Sequence, residues 1–65
     1  MPVISITMGK ASKEQKKALV ERLTSVAMEV TQIPANHFVV TINELGYDSL
    51  GLGGRTVEEI RLDQS

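Results

Sequence analysis

The sequence contains no cysteine and no tryptophan, and its only aromatic residues are one tyrosine and one phenylalanine. Without cysteine no disulfide can form, and a single histidine leaves no set of side chains for a structural zinc ion. Seven basic and eight acidic residues give a formal net charge of -1, so there is no electrostatic attraction for DNA or RNA. Two aromatic side chains are also too few for a base-stacking platform. We therefore expect no metal and no nucleic-acid partner.

Long apolar runs are missing as well. No stretch approaches the ~20 apolar residues that a helix needs to cross a bilayer. Residues 1–7 have no basic segment and no signal-peptide cleavage pattern. We therefore expect no membrane partner and a cytoplasmic location.

The chain does contain enough apolar material for one small domain. Of its 65 residues, 42% are hydrophobic and 23% are charged, a composition typical of folded proteins rather than of disordered ones. We expect residues 1–65 to form a single domain, at the small end of what folds alone. Domains of this size that lack disulfides and metals often complete their core by oligomerising, so we expect a homo-oligomer.

The hydrophobic pattern predicts a strand followed by a long helix. Residues 3–8 alternate and are rich in β-branched side chains, as strands are. Ser12 and Gln15 match a capping box, and a helix is predicted from there to about Thr31. Its apolar stripe consists of Leu19, Leu23, Val26 and Val30, widened by Val20 and Ala27. Charged residues of this segment, including Arg22, are expected to face solvent.

A second strand is predicted at residues 37–45, the most β-prone stretch of the chain. A helix of about 19 residues between two strands is a crossover, so the strands should be parallel and the connection right-handed. The predicted fold class is α/β, with a βαβ subunit. The helix can cover only one face of this sheet. The other face is expected to carry alternating apolar residues, and we expect dimerisation to complete the sheet.

The carboxyl-terminal residues have weaker patterns. Residues 46–49 are typical of a turn, and the glycine cluster at 51–54 is not expected inside a regular element. Thr56 could cap a last short helix, but the same tail also fits a strand or a loose coil. We expect a short hairpin or turn in this part of the chain.

Few residues are arranged for chemistry. His37 is interpreted as a polar residue at the start of a strand, because no recognisable Ser-His-Asp spacing surrounds it. Glu58 and Glu59 are adjacent rather than on one helical face, which favours a solvated cap over an acid–base pair. Residues 51–56 are neither a P-loop nor a dinucleotide-binding motif. Turn or subunit-contact glycines are favoured there over an anion-binding nest.

The amino terminus offers one distinctive group. Pro2 follows the initiator methionine, and a small penultimate residue normally permits removal of that methionine, which would leave a secondary amine. Burial in an apolar pocket, or a nearby cation, lowers the pKa of such an amine. An amine tuned to near neutral can act as a general base and then as an acid, or attack a carbonyl as a nucleophile. If Met1 is retained, the nitrogen lies in an amide and cannot accept a proton.

An ordered set of segments resembles the 4-oxalocrotonate tautomerase family over nearly the whole chain. The segments are MPVISI at 1–6, SKEQKK at 12–17, INEL at 42–45 and GLGG at 51–54. The resemblance implies a βαβ subunit, paired into dimers with a four-stranded sheet, and most often three dimers in a hexamer. It further implies an isomerase without a cofactor, in which Pro2 is the general base for keto–enol tautomerisation of 2-hydroxydienoates and related 2-oxo acids.

The substrate-binding residues of that family carry over less completely. One family arginine falls at or beside Lys10, a second matches Val39, and an active-site aromatic residue matches Leu50. Arg55 and Arg61 are candidates for a replacement cation, from the same or a neighbouring subunit, and are otherwise surface arginines. Because lysine lacks the bidentate fork of arginine, we expect weak activity on a dicarboxylate. The apolar Val39 and Leu50 suit a monocarboxylate.

Two other interpretations stay open beside a tautomerase that acts on a small carboxylate substrate. The missing arginines also fit a non-catalytic oligomer, whose site has decayed or which binds a small acid without turnover. They fit, in addition, one chain of a hetero-oligomer whose partner supplies the arginines.

Overall fold

A βαβ unit forms the larger part of the chain. The computed structural model describes residues 1–64. Strand β1 spans Val3–Met8, helix α1 spans Lys13–Thr31 and strand β2 spans Val39–Glu44. The two strands are parallel and paired along their full length. The predicted fold class, with two parallel strands joined by one crossover helix, is confirmed.

The predicted capping box begins α1. The Ser12 hydroxyl accepts a hydrogen bond from the Gln15 backbone N–H (3.0 Å), and the Gln15 side-chain oxygen accepts one from the Ser12 N–H (2.9 Å). These bonds satisfy N–H groups that the start of a helix leaves without partners. At the other end Gln32 adopts a left-handed conformation (φ 63°), and its N–H donates to the Met28 carbonyl. Both predicted limits of the helix are confirmed.

Helix α1 covers one face of the sheet. The half-buried residues on that side are Ile4, Ile6, Met8, Val40 and Ile42 of the strands, with Leu19, Leu23 and Ala27 of the helix. The predicted stripe is wrong at Val26 and Val30, which are 59% and 77% exposed. A helix of this length extends about 28 Å, whereas the two strands form a strip about 20 Å long and about 5 Å wide. One protomer therefore provides too little sheet to cover the apolar side of its own helix.

The other face of the sheet is more polar than predicted. Its residues are Val3, Ser5 and Thr7 of β1 and Val39, Thr41 and Asn43 of β2. Ser5 and Thr41 are cross-strand partners, and their hydroxyl groups form a hydrogen bond of 2.8 Å. The expectation of an apolar face failed because threonine favours strands as valine does, so a strand-like pattern does not reveal how polar a face is.

A short hairpin and a second helix follow β2. After a 3₁₀ turn at Tyr47–Ser49, strands β3 (Gly51–Leu52) and β4 (Arg55–Thr56) pair antiparallel, and helix α2 spans Val57–Asp63. Gly53 and Gly54 have φ angles of 63° and 84°, as the two-residue loop of a type I′ hairpin requires. The expected hairpin is confirmed, although the first two residues of 51–54 lie in a strand. Neither α1 nor α2, the α-helices of residues 1–64, is both long and apolar enough to cross a membrane.

A second capping box begins α2 and decides between the alternatives left open for the tail. The Thr56 hydroxyl accepts a hydrogen bond from the Glu59 N–H (3.1 Å). The Glu59 carboxylate accepts bonds from the Thr56 hydroxyl (2.9 Å) and N–H (3.2 Å). Both bonds hold the pKa of Glu59 below its ordinary value, and the bond from the hydroxyl has the larger effect. Glu59 is therefore part of a helix cap, as predicted.

We expect α2 to lose stability in acid through Glu59. A carboxylate whose pKa is lower in the folded than in the unfolded state stabilises the fold above its unfolded pKa, and this contribution disappears as the pH falls through the folded pKa. The Cα chemical shifts of α2 should therefore be constant from neutral pH downwards and move toward coil values only below about pH 4. Glu59→Gln keeps the hydrogen-bonding pattern without the charge. The same acid transition in Glu59→Gln would contradict this prediction.

The protomer leaves a large surface exposed. None of residues 1–64 is fully buried, and the accessible surface is 5052 Å², against about 4,100 Å² for a compact monomer of this mass. The radius of gyration is 15.1 Å, against about 11 Å for a compact domain of this length. A chain of this shape does not close a core within one protomer, which supports the expectation of an oligomer.

Candidate active site

The amino-terminal edge of the sheet holds Pro2 and Val39. Pro2 immediately precedes β1 and is half-buried, and its carbonyl oxygen accepts a hydrogen bond from the Val39 N–H (3.0 Å). This bond belongs to the parallel ladder, in which Val3 pairs with Val39, and it fixes Pro2 beside the start of β2. Val39 lies on the open face and is 37% exposed. The structure therefore brings these two predicted site residues together.

Met1 is joined to the Pro2 nitrogen at this edge. It is 90% exposed. While Met1 is present, the Pro2 nitrogen belongs to an amide and has no basic lone pair. Removal of Met1 would leave a secondary amine beside Val39, at the beginning of a strand that holds it in place.

His37 lies near the same edge, but outside the sheet. It ends a 3₁₀ turn at Ala35–His37, whereas β2 spans only Val39–Glu44. The predicted strand at 37–45 was therefore too long at both ends. The His37 side chain is exposed and forms no ion pair or hydrogen bond within residues 1–64. This agrees with its interpretation as a polar surface residue.

Lys10 lies in the loop after β1, at the opposite end of the sheet. At Gly9 the Tyr47 ring packs so closely on the backbone that any β-carbon would collide with it. Lys16 forms an ion pair with Glu44 (2.9 Å), which ties the start of α1 to the end of β2. Lys10 itself is exposed and makes no ion pair within residues 1–64. The loop therefore begins at Gly9 under the Tyr47 ring and ends at a helix whose first turn is tied to β2. The Lys10 ammonium group stays available between them.

A groove of about 430 Å³ opens beside Lys10, between the end of β1 and the first half of α1. Its lining residues are Met8, Lys10, Ala11, Gln15, Ala18, Leu19, Arg22 and Leu23. Arg22 was expected on the solvated side of the helix, and it is exposed, but its place in the lining of this groove was not expected. One signal was present, because Arg22 stands three residues after Leu19 and directly before Leu23, at the border of the apolar stripe.

The other predicted cations already have partners. They lie in the carboxyl-terminal unit, which consists of the 3₁₀ turn, the β3–β4 hairpin and α2 (residues 47–63). Arg55 forms an ion pair with Asp63 at the surface, and its role as a replacement cation stays a prediction. The Arg61 guanidinium lies 4.4 Å from the centroid of the Tyr47 ring, in a cation–π contact. Leu50 is half-buried, and its carbonyl oxygen accepts a hydrogen bond from the start of α2 (2.8 Å). These interactions hold the unit together internally.

The candidate residues form two clusters at opposite ends of the sheet. Because β1 and β2 are parallel, both end on the side of Lys10, and the carboxyl-terminal unit begins there. Six strand residues at about 3.3 Å each place the start of β1 about 20 Å from its end. Pro2 and Lys10 of one protomer therefore cannot contact the same small molecule. A site that combines the Pro2 amine with the Lys10 cation therefore needs a second protomer.

No group of three histidine, cysteine, aspartate or glutamate side chains in residues 1–64 is placed to hold a metal ion. The candidate site residues provide other chemistry: a secondary amine at Pro2 once Met1 is removed, the cations of lysine and arginine, and apolar side chains.

Comparison with known proteins identifies the family. A family model described as a tautomerase enzyme matches residues 2–60. The chain belongs to the tautomerase family. This tautomerase is 33% identical over 60 residues to a probable tautomerase of Bacillus cereus, and the match covers 91% of the chain and 98% of the relative.

Solved structures agree with this assignment. The tautomerase matches a 4-oxalocrotonate tautomerase homologue of the tomaymycin biosynthetic pathway with a TM-score of 0.94 and 32% sequence identity, covering 98% of this chain and 100% of that chain. A heterohexameric 4-oxalocrotonate tautomerase from Chloroflexus aurantiacus gives a TM-score of 0.87 and 29% identity, covering 94% and 100%. The predicted family, the βαβ fold and a tautomerase-type enzyme are confirmed.

The family match includes both ends of the sheet. In this tautomerase it begins at Pro2 and extends through Lys10, Val39 and Leu50, and it stops one residue before Arg61. The matched region thus begins at Pro2.

Proposed function

We propose that this tautomerase catalyses keto–enol tautomerisation of a 2-hydroxydienoate or a related 2-oxo acid, with Pro2 as general base after removal of Met1. The observation that carries the proposal is the position of Pro2. It is the first residue of the family match and lies half-buried at the edge of the sheet, where its nitrogen would become a terminal secondary amine. The small penultimate residue Pro2 supports the removal of Met1.

One secondary amine can perform the whole reaction. The Pro2 nitrogen accepts the proton of the substrate 2-hydroxyl group while the C2–O bond becomes a carbonyl. The ammonium group then returns the proton to C3, in a 1,3-shift, or to C5, in a 1,5-shift. No electrons are transferred and no atoms are lost, so the isomerisation balances. Val39 adds an apolar side chain at the same edge of the sheet, and apolar surroundings in the assembled site would disfavour the charged form of the amine.

The proposal requires a homo-oligomer, built from dimers and most simply a hexamer. Lys10 is the proposed carboxylate-binding cation, and it must come from another copy because it lies about 20 Å from Pro2 in its own protomer. The exposed Val26 and Val30 and the uncovered sheet offer surface for subunit contacts. The similar tautomerase from Chloroflexus aurantiacus is a heterohexamer, which supports an assembly of six subunits.

A monocarboxylate fits this chemistry better than a dicarboxylate. Lys10 binds one carboxylate as a point charge, without the fork of an arginine. Val39 and Leu50 supply apolar surface rather than a second cation, and Arg55 is already paired with Asp63. We therefore propose a substrate with one carboxylate and an apolar remainder, for which phenylenolpyruvate is a suitable probe.

The proposal is tested by ultraviolet assays on the chain purified alone, with an intact mass that shows Pro2 as the first residue. We expect ketonisation of phenylenolpyruvate with a kcat/KM about 10-fold or more above that for 2-hydroxymuconate, because a second carboxylate would be desolvated without a partner. A preference for 2-hydroxymuconate would contradict the proposed substrate. Flat traces with both enols would contradict catalysis and favour an acid-binding protein, or a hetero-oligomer that lacks its second chain.

A further inference from the structure

The Tyr47 ring lies against the backbone of Gly9, the first residue after β1. A β-carbon at Gly9 would collide with Cε1 of the ring and lie 3.2 Å from Cζ. The positive φ angles among the glycines of residues 1–64 belong to Gly53 and Gly54, so the backbone conformation does not require a glycine at position 9. The close approach of the ring does. The absence of a side chain at Gly9 therefore serves the contact with Tyr47.

Tyr47 is itself held within the carboxyl-terminal unit. It begins the 3₁₀ turn, in which the Ser49 N–H donates a hydrogen bond to the Gly46 carbonyl (2.9 Å). The Arg61 guanidinium of α2 lies over the ring, 4.4 Å from its centroid, where the negative face of the ring attracts a cation. The ring thus contacts α2 through Arg61 and the loop after β1 through Gly9. Both contacts are made within one protomer.

Lys10 directly follows the contact at Gly9. The loop starts from a fixed point, because the Met8 carbonyl accepts a hydrogen bond from the Leu45 N–H (2.9 Å). It ends at Ser12, whose hydroxyl caps α1, and one residue separates Lys10 from that cap. Glycine is the most permissive residue of a chain, so Gly9 would be the flexible point of this short loop without the ring. The ring restricts it and defines where Lys10 begins.

We propose that Tyr47 and Arg61 act together as positioning residues for Lys10. The Tyr47 ring holds Gly9, and with it the loop from which Lys10 reaches the substrate carboxylate, while Arg61 holds the ring. The inference rests on the proposed function, in which Lys10 binds the carboxylate. Ring carbons, not the hydroxyl group, make the contact with Gly9, so a phenylalanine at position 47 should serve equally well.

Calorimetry measures this role apart from turnover. The probes are 3-phenylpropionate and its uncharged analogue 3-phenylpropanamide, neither of which can tautomerise as a 2-oxo acid does. Tyr47→Leu is expected to raise the Kd for the acid about 5-fold, because a misplaced ammonium group forms a poorer charge-assisted bond. It should leave the Kd for the amide unchanged. Tyr47→Phe is the matched control and should keep both values of the wild type.

A double-mutant cycle separates positioning from a general loss of structure. If Tyr47 acts through Lys10, Tyr47→Leu weakens acid binding in otherwise wild-type protein and has no further effect in Lys10→Ala protein. Equal effects in the two backgrounds, no effect in the first, or equal losses for the acid and the amide would each overturn the inference. Analytical ultracentrifugation verifies that each variant keeps the wild-type assembly.

A second measurement leaves Tyr47 in place and needs no ligand. In isotope-labelled wild-type protein, the ring current of Tyr47 should shift the Gly9 Hα signals. Arg61→Gln removes the cation that holds the ring, so we expect a smaller shift and a lower backbone order parameter at Lys10. Arg61→Lys keeps the cation and should restore both. Unshifted Gly9 signals in the wild type, or unchanged signals in Arg61→Gln, would contradict the proposed pair.

The inference and the proposed reaction can fail separately. Acid binding that depends on Lys10 and Tyr47, in a protein without turnover, would support the positioning role and refute only the tautomerase reaction. Turnover that depends on Pro2, with no effect of Tyr47→Leu on Kd or KM, would leave the reaction standing and refute the role of Tyr47. An acid affinity that Lys10→Ala does not change would refute both Lys10 as the carboxylate-binding cation and the inference built on it.

Discussion

Processed protein carrying Pro2→Ala is expected to lose about 10²–10⁴-fold in kcat/KM for phenylenolpyruvate, the contribution typical of a positioned general base. Alanine still offers a terminal amine, but a primary one on a chain end that rotates freely, whereas the proline ring fixes the nitrogen relative to β1. The carbonyl of residue 2 can still accept the Val39 N–H, so the fold should persist. Steady-state kinetics, with circular dichroism to verify folding, measure the loss.

Pro34→Ala is the matched control for this experiment. Pro34 is the other proline of the chain and lies in the connection between α1 and β2, so its replacement should leave kcat/KM close to that of the wild type. Protein that keeps Met1 should be as inactive as Pro2→Ala, because an amide nitrogen accepts no proton. Full activity of either protein would show that the Pro2 nitrogen is not the base.

Mixing two impaired variants is expected to restore activity. Pro2→Ala lacks the base, and Lys10→Ala lacks a charge-assisted bond to the carboxylate, a loss of roughly 10- to 100-fold in kcat/KM. After equal amounts are unfolded and refolded together, about a quarter of the sites should combine an intact Pro2 from one protomer with an intact Lys10 from another, giving about a quarter of the wild-type activity. We expect this because Pro2 and Lys10 lie too far apart within one protomer to act on the same substrate molecule.

Two controls accompany the mixing experiment. Each variant refolded alone gives the baseline, and the variants combined without unfolding show the activity before subunits exchange. Analytical ultracentrifugation and mass spectrometry establish that the refolded particles are oligomers containing both chains. Mixed oligomers that stay at the baseline would show that the two groups do not share a site, and a monomeric wild type would remove the composite site altogether.

Local sequence patterns predicted those structural elements that are determined by residues close together in the sequence. The capping box at Ser12 involves residues three positions apart, so the start of α1 could be predicted without knowledge of the fold. The similar box at Thr56 left alternatives open, because a helix of one or two turns depends on its surroundings as well. Val26 and Val30 have the spacing of a buried stripe, but their burial depends on how much sheet one protomer provides.

The residues of the candidate site likewise differ in whether they could be predicted from the sequence. Pro2 was singled out from its place next to the initiator methionine together with the family resemblance, both of which are properties of the chain, and its catalytic role stays a proposal. The groove that Arg22 and Lys10 both line could not be predicted, because it depends on how the loop at 9–12 meets α1. The ion pair of Arg55 could not be predicted either, since Asp63 comes near only when α2 packs back on the hairpin.

The hydrogen bond between the Pro2 carbonyl and Val39 has a practical consequence for protein engineering. It anchors the carbonyl group of the same residue that carries the nitrogen, so no spare length separates that nitrogen from the strand. In a tandem gene fusion of two copies, the trailing copy would carry its Pro2 inside the linker, and only the leading copy would keep a usable imino group. If Pro2 is the base, as proposed, covalent pairing would inactivate every second centre, and affinity labels are better attached after α2.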